Sequence, residues 1–130
     1  MKDIRHFLNL DQINTKDIHL IIAKSHILKK KYGRISLKNK KTLAMIFEKP
    51  STRTRVSFEV GMKKINGDVV VLDQNDTQLA RGESLNDTIK VLSRYVDIIM
   101  YRGSDQKKLY EIAKCSDVPI INGLTNQSHP

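Results

Sequence analysis

Short apolar runs alternate with longer segments of helical pattern along the chain, and this alternation is the feature that most constrains the fold. The runs that predict buried strands span residues 41–47, 69–72, 97–101 and 118–121. Caps and helical spacing predict helices over residues 14–33, 52–66, 84–95 and 106–115. Short connections between alternating elements predict an α/β fold with three layers, in which helices cover both faces of a mainly parallel four-stranded sheet.

Polar residues cluster in the segments that follow the predicted strands. These segments span residues 48–55, 73–82, 102–105 and 122–130. In a parallel sheet covered by helices, ligands bind beyond the carboxyl ends of the strands. We therefore expect one convergent site at that edge.

The segment after the first strand has the composition of an anion site. Residues Ser51-Thr52-Arg53-Thr54-Arg55 bring three hydroxyl groups and two guanidinium groups together where a strand ends and a helix begins. The N–H groups of a first helical turn lack intrahelical acceptors, and the helix dipole adds partial positive charge there. An ordinary N-cap beside solvated arginines is the alternative, but this density of donors favours anion binding.

Length and composition indicate a single soluble domain. The 130 residues suffice to bury a core, and they include no Trp and one cysteine. Because Cys115 is the single cysteine, no internal disulfide can form, which fits a reducing cytoplasm. We expect Cys115 to be a half-buried structural thiol on a helix. No stretch has the apolar length of a signal peptide or a membrane span, so no membrane partner is expected.

The net charge of +9 raises the question of nucleic-acid binding. Seven lysines and arginines between residues 29 and 41 have no acidic residue among them. Interleaved aromatic residues, zinc-ligand spacing and a recognition helix are missing, so we interpret this stretch as a solvated helix end and loop, without a nucleic-acid partner. No metal-ligand cluster, dinucleotide glycine motif or catalytic triad occurs, and we expect no cofactor.

The segment from Phe47 to Glu59 resembles the carbamoyl-phosphate signature of the aspartate and ornithine carbamoyltransferase superfamily. Glu48-Lys49-Pro50 is similar to the ornithine branch, since the aspartate branch usually has Glu-Pro directly before the serine. Other segments resemble ornithine carbamoyltransferases in the same order: Gln78–Ser84, Asp87–Thr88, Leu92–Asp97, Met100–Arg102 and Asn122–Thr125. The resemblance implies that residues 1–130 form a Rossmann-like amino-terminal domain that binds carbamoyl phosphate.

The resemblance also implies roles for individual residues. Gln78, Arg102 and His129 would surround the carbamoyl group and its bridging oxygen, and Arg55 would support the loop. The phosphate would be held by Ser51, Thr52, Arg53 and Thr54. The candidate catalytic residues are Arg53, Arg102 and His129, because charge that builds on the carbamoyl oxygen and the departing phosphate needs preorganised donors.

The remaining basic residues carry weaker signals. Arg81 could reach the site of a neighbouring subunit, or it could lie on the surface. His6, His19 and His26 belong to no motif and are expected to be surface or helix residues.

The sequence ends at His129-Pro130, before the second α/β domain that binds the amine in this family. The resemblance therefore implies the carbamoyl-phosphate-binding half of an ornithine carbamoyltransferase of arginine metabolism. We expect the isolated chain to be nearly inactive, with apolar surface exposed, and family members are trimers, which implies a homotrimer. Two alternatives stay open: the same domain of a carbamoyltransferase for another amine, such as aspartate, or a non-catalytic module that binds phosphate or polyanions.

Overall fold

The four apolar runs form four strands of one sheet in the computed structural model, which describes residues 4–31, 34–73 and 84–130. The strands are β1 (Thr42–Phe47), β2 (Asp68–Asp73), β3 (Ile98–Arg102) and β4 (Ile120–Leu124). The helices are α1 (Thr15–Lys30), α2 (Thr52–Lys64), α3 (Leu85–Leu92) and α4 (Gln106–Cys115). A short 3-10 turn, Leu10–Gln12, precedes α1.

All strand pairs are parallel, in the order β2-β1-β3-β4. Successive side chains of a strand face opposite sides, so Ala44 and Ile46 of β1 pack beneath α3 and α4. Leu43, Met45 and Phe47 form the core on the other side, together with residues of α2. The predicted three-layer α/β fold is confirmed.

The amino-terminal segment lies along the outer side of β4. Phe7 donates its N–H to the Ile120 carbonyl, and its own carbonyl accepts from the Asn122 N–H, both at 2.8 Å. His6 is half-buried there, and its Nδ1 accepts a hydrogen bond from the Ile120 N–H at 3.1 Å. The prediction that His6 is a surface or helix residue is wrong, because this segment satisfies the backbone of an edge strand. His19 and His26 are exposed on α1, as predicted.

Helix α3 and strand β4 have ends that differ from their predicted positions. Helix α3 ends at Leu92 rather than near Tyr95, and a turn follows that brings Val96 into the core. Strand β4 begins at Ile120 rather than Val118, because the Ser116 hydroxyl bonds both the N–H and the carbonyl of Val118 and holds that segment in a turn.

Helix α1 begins after its Asn14 cap as predicted, but it ends at Lys30 rather than at Gly33, and none of its residues is buried. Five of its large apolar side chains are 39–51% exposed: Leu20, Ile21, Ile22, Ile27 and Leu28. Helical spacing of apolar residues therefore predicts the helix correctly here without predicting a packed face. None of the helices in the described ranges is long and apolar enough to cross a membrane.

Candidate functional site

The carboxyl ends of β1 and β3 bring two predicted site segments together. Phe47, at the end of β1, pairs with Arg102, the last residue of β3. Ser51 follows β1 as the N-cap of α2. The Arg102 Nη1 donates to the Thr54 hydroxyl at 2.9 Å. Residues 48 positions apart in the sequence thus meet in one site at the predicted edge of the sheet.

The start of α2 has no side-chain cap. In α1, α3 and α4 the side chains of Asn14, Ser84 and Asp105 accept a backbone N–H of the first turn. The Ser51 side chain makes no such bond, and the first turn of α2 holds no acidic residue. Its N–H groups therefore remain available to an anion, which the helix dipole also favours.

The two arginines of α2 have different surroundings. Arg55 forms ion pairs with Asp73 and Glu59, at 3.4 and 3.9 Å. The Arg53 side chain is exposed and has no hydrogen bond or ion pair to another described residue. The charge of Arg55 is compensated within the protein, whereas that of Arg53 is free for a ligand. The roles predicted for these two residues stay predictions.

Arg102 is half-buried and held from two sides. Its Nη1 also donates to the Gly123 carbonyl at 3.2 Å, in addition to the Thr54 hydroxyl. Its Nε is buried and has no hydrogen-bond partner. Since two oxygens fix one terminal nitrogen, the direction of the whole planar guanidinium group is restricted.

His129 is not brought into the contact between Arg102 and Thr54. The His129 side chain is exposed, and no hydrogen bond joins it to another described residue, although Ser128 before it is bound by Asn122, Thr125 and Asn9. Gln78 and Arg81 lie outside the described residues. The roles proposed for them remain untested.

Sequence reasoning did not single out a polar pair that anchors the loop before Ser51. The Glu48 carboxylate binds the Lys108 ammonium group of α4, and the Glu48 N–H donates to the Arg102 carbonyl at 2.9 Å. Burial first, and then the nearby Glu48 carboxylate, raise the pKa of the Tyr101 phenol, whose hydroxyl is buried without a partner. Glu48 lies in the segment that resembles the family signature, and this could have marked it as a candidate. Its partner Lys108 could not be predicted, because it is distant in sequence.

Cys115 is half-buried at the end of α4 and donates to the Glu111 carbonyl at 3.1 Å, consistent with the predicted structural thiol. Within residues 4–31, 34–73 and 84–130, no group of three or more His, Cys, Asp or Glu side chains could hold a metal ion. The site at the start of α2 contains backbone N–H groups, hydroxyls and guanidinium groups.

A comparison with protein families gives a match over almost the whole chain. The family described as "Aspartate/ornithine carbamoyltransferase, carbamoyl-P binding domain" matches residues 5–130. The chain belongs to this carbamoyltransferase family. The predicted resemblance to the aspartate and ornithine carbamoyltransferase superfamily is thereby confirmed. In members of this family, the matched domain binds carbamoyl phosphate, which is an anion of the kind that the start of α2 favours.

Individual ornithine carbamoyltransferases are similar to this chain in sequence and in structure. The ornithine carbamoyltransferase of Rhodopseudomonas palustris is 49% identical over 97% of this chain, which spans 43% of that protein. The crystal structure of ornithine carbamoyltransferase from Burkholderia thailandensis has a TM-score of 0.90 and 45% identity, covering 98% of this chain and 45% of that one.

A member of the aspartate branch is also similar. The catalytic subunit of aspartate transcarbamoylase from M. jannaschii has a TM-score of 0.83 and 36% identity, covering 98% of this chain and 43% of that one. The chain therefore spans less than half the length of each of these carbamoyltransferases.

Proposed function

We propose that this chain binds carbamoyl phosphate at the start of α2 and is the donor-binding part of an ornithine carbamoyltransferase. The observation that carries the proposal is the contact of Arg102 with Thr54 beside an uncapped helix start. Membership of the carbamoyl-phosphate-binding family supports the choice of anion. The ornithine carbamoyltransferases among its relatives support the choice of amine.

The phosphate group would accept hydrogen bonds from the first turn of α2. Backbone N–H groups, the hydroxyls of Ser51, Thr52 and Thr54, and the free guanidinium group of Arg53 supply the donors. Charge-assisted hydrogen bonds from arginine to phosphate oxygens are among the strongest in proteins. Arg55 would keep the helix start in place through its ion pairs with Asp73 and Glu59.

In the proposed reaction, the neutral side-chain amine of ornithine attacks the carbamoyl carbon. A C–N bond forms, the C–O bond to phosphate breaks, and the proton lost by the amine leaves with the phosphate, which gives citrulline and inorganic phosphate. Negative charge builds on the carbamoyl oxygen and then on the phosphate. Arg53, Arg102 and His129 are proposed to stabilise that charge, with Gln78 beside the carbamoyl group.

The residues that would bind the amine are proposed to lie outside these 130 residues. The chain spans 43–45% of its ornithine carbamoyltransferase relatives, so more than half of their length has no counterpart in it. We therefore propose that the isolated chain binds carbamoyl phosphate but forms citrulline at a negligible rate. An assay that found turnover comparable with a complete family member would contradict this.

The wider setting follows from the resemblance to ornithine carbamoyltransferases. We infer a homotrimer that works in the cytoplasm in arginine biosynthesis. Sedimentation equilibrium of the chain tests the assembly directly, because a trimer and a monomer differ threefold in mass.

Isothermal titration calorimetry with carbamoyl phosphate tests the donor site. We expect Arg53→Ala to weaken binding by about 10-fold to 100-fold, the value of a charge-assisted hydrogen bond. Arg94→Ala is the matched control, because Arg94 is exposed in the turn after α3 and its removal changes the net charge equally. Wild-type protein that does not bind carbamoyl phosphate, or equal losses in the two variants, would contradict the proposal.

Two alternatives are separated by further measurements. Similarity to the aspartate transcarbamoylase subunit supports aspartate as a second acceptor, and assays of a complete protein that contains this domain with ornithine and aspartate decide between them. A polyanion-binding module would bind DNA or RNA with an affinity that falls steeply with salt, and it would not discriminate between Arg53→Ala and Arg94→Ala.

A further inference from the structure

We propose that Asn122 is a positioning residue, which orients Arg102 through a β-bulge and holds the loop that leads to His129. This inference rests on the proposed function, because it concerns the same carbamoyl-phosphate site. Asn122 lies within the segment 122–125 that resembles ornithine carbamoyltransferases, but the sequence assigned it no role.

Asn122 is buried, and its carboxamide is bonded to three separate parts of the chain. Only 3% of the residue is exposed. Its Nδ2 donates to the carbonyls of Leu8 at 3.0 Å and Ser128 at 3.3 Å. Its Oδ1 accepts from the Leu124 N–H at 2.9 Å. Both amide hydrogens and the carbonyl oxygen are therefore in use, as the burial of a polar group requires.

The bond to Leu124 supports an irregular backbone next to Arg102. Tyr101 pairs with Asn122 but Arg102 pairs with Leu124, so Gly123 is an extra residue in β4. Leu124 has a φ of 150°, which residues with side chains rarely adopt. Such a conformation costs free energy and persists where neighbouring bonds hold it. The Asn122 carboxamide supplies one of those bonds.

The bulge determines where the Gly123 carbonyl points. That carbonyl lies 3.2 Å from the Arg102 Nη1 and is one of the two oxygens that hold the guanidinium group. The backbone passes so close that a Cβ at Gly123 would lie 2.3 Å from the Met100 Sδ and 3.3 Å from the Arg102 Cβ. A glycine is needed here because the approach leaves no room for a side chain.

The Asn122 carboxamide also holds the turn that precedes His129. Ser128, whose carbonyl accepts from Asn122, also accepts from the Thr125 N–H at 2.9 Å, which closes a turn immediately before His129. One buried side chain thus joins the bulge behind Arg102 to the turn before His129. Loss of its bonds is expected to free both segments at once.

The first test compares Asn122→Ala with Ser116→Ala. Ser116 is a matched control because it is 6% exposed, is hydrogen-bonded, and lies after α4 near the opposite end of β4. Both variants are expected to lose stability. Only Asn122→Ala is expected to lose affinity for carbamoyl phosphate, by about tenfold, because only it removes the support of the Gly123 carbonyl, one of the two acceptors that orient Arg102.

A second readout does not depend on the ligand. The Arg102 Nε–H is buried, so its ¹⁵N-resolved proton signal is expected to exchange slowly with water in the wild type. We expect faster exchange and a shifted signal in Asn122→Ala, and an unchanged signal in Ser116→Ala. If the wild type failed to bind carbamoyl phosphate, the proposed function would fail, whereas this signal would still test the positioning of Arg102.

Asn122→Asp covers the case in which the alanine variant does not fold. It is nearly isosteric and keeps the acceptor for Leu124, but its carboxylate faces the carbonyls of Leu8 and Ser128. A protonated carboxyl group can donate one hydrogen bond, so the affinity relative to wild type at the same pH is expected to recover as the pH falls. Affinity equal to wild type at every pH, together with an unchanged Arg102 signal, would overturn the proposal.

Discussion

At the scale of one residue, His6 belongs to no motif, but its half-buried side chain has a structural role. Its Nδ1 accepts the Ile120 N–H, which requires an unprotonated nitrogen at that position. Burial lowers the pKa of His6 from its ordinary value of 6.5. The folded state therefore binds a proton at His6 less readily than the unfolded state does.

We expect the free energy of unfolding to fall as the pH drops below 6.5 toward the lowered folded-state pKa of His6. Its contribution is complete above 6.5, because both states are then neutral. Urea denaturation at pH 8 and pH 5 measures this loss of unfolding free energy. The loss should be smaller in His6→Asn, because the amide oxygen of asparagine can accept the Ile120 N–H without titrating. The pKa of Asp97 is also lowered, chiefly by the Lys41 hydrogen bond, but from 3.8, so its effect lies at lower pH.

His19→Asn is the control, since it makes the same substitution at an exposed position of α1. Equal pH dependence in wild type and His6→Asn would contradict the assignment of this loss to His6.

At the scale of elements, the loop between β1 and α2 is tied to two neighbours. The Glu48 N–H bonds the last carbonyl of β3, and the Glu48 carboxylate binds Lys108 of α4. The Glu48 side chain is 13% exposed, so water can compensate its charge only in part if the ammonium group is removed. Helix α4 thereby restrains the loop that leads to Ser51.

Lys108→Met is expected to lower the free energy of unfolding by about 1–3 kcal/mol, because it leaves the Glu48 carboxylate without its cation. The exchange of both residues, Glu48→Lys with Lys108→Glu, should recover part of that loss. Urea denaturation of the single and double variants measures the coupling. Lys107→Met, at the exposed neighbouring position, should change stability by less than about 0.5 kcal/mol. Additive losses in the exchange variant would show that the pair does not hold the loop.

At the scale of the whole molecule, the helices differ in how many buried side chains they contribute to the core. Helices α3 and α4 contribute fully buried side chains to one core, including Ile89, Leu109 and Ile112, whereas α1 contributes none. The apolar side chains of α1 are therefore in contact with solvent in this chain. Exposed apolar surface of this kind favours association.

We expect light scattering to detect association of the wild-type chain as its concentration rises, and Ile22→Lys to reduce it. Ile22 is 48% exposed, so the melting temperature should stay nearly unchanged. His26→Lys adds a charge to the same helix without removing apolar surface, and it should leave the association largely in place. Similar association in all three proteins would exclude this face of α1 as its cause.

Much of the fold could be predicted because its signals are local. Runs such as 69–72 indicate strands, and caps such as Asn14 and Ser84 indicate helix starts, since both depend on neighbouring residues. The prediction for His6 failed because a distant contact decided the outcome: His6 joins the edge of β4. The exposure of apolar side chains on α1 could not be predicted either, since nothing in the local pattern distinguishes this helix from a packed one.

Local sequence patterns are enough to predict the order of strands and helices, the end of the sheet at which a site would form, and the residues 51–55 that begin α2. These properties depend on backbone propensity, side-chain periodicity and the directionality of parallel strands. Three contacts could be seen only in the folded chain: Arg102 contacts Thr54, Glu48 binds Lys108, and Asn122 supports the bulge beside Arg102. Those contacts depend on strand register, on the bulge and on burial, which bring together segments that the sequence keeps far apart.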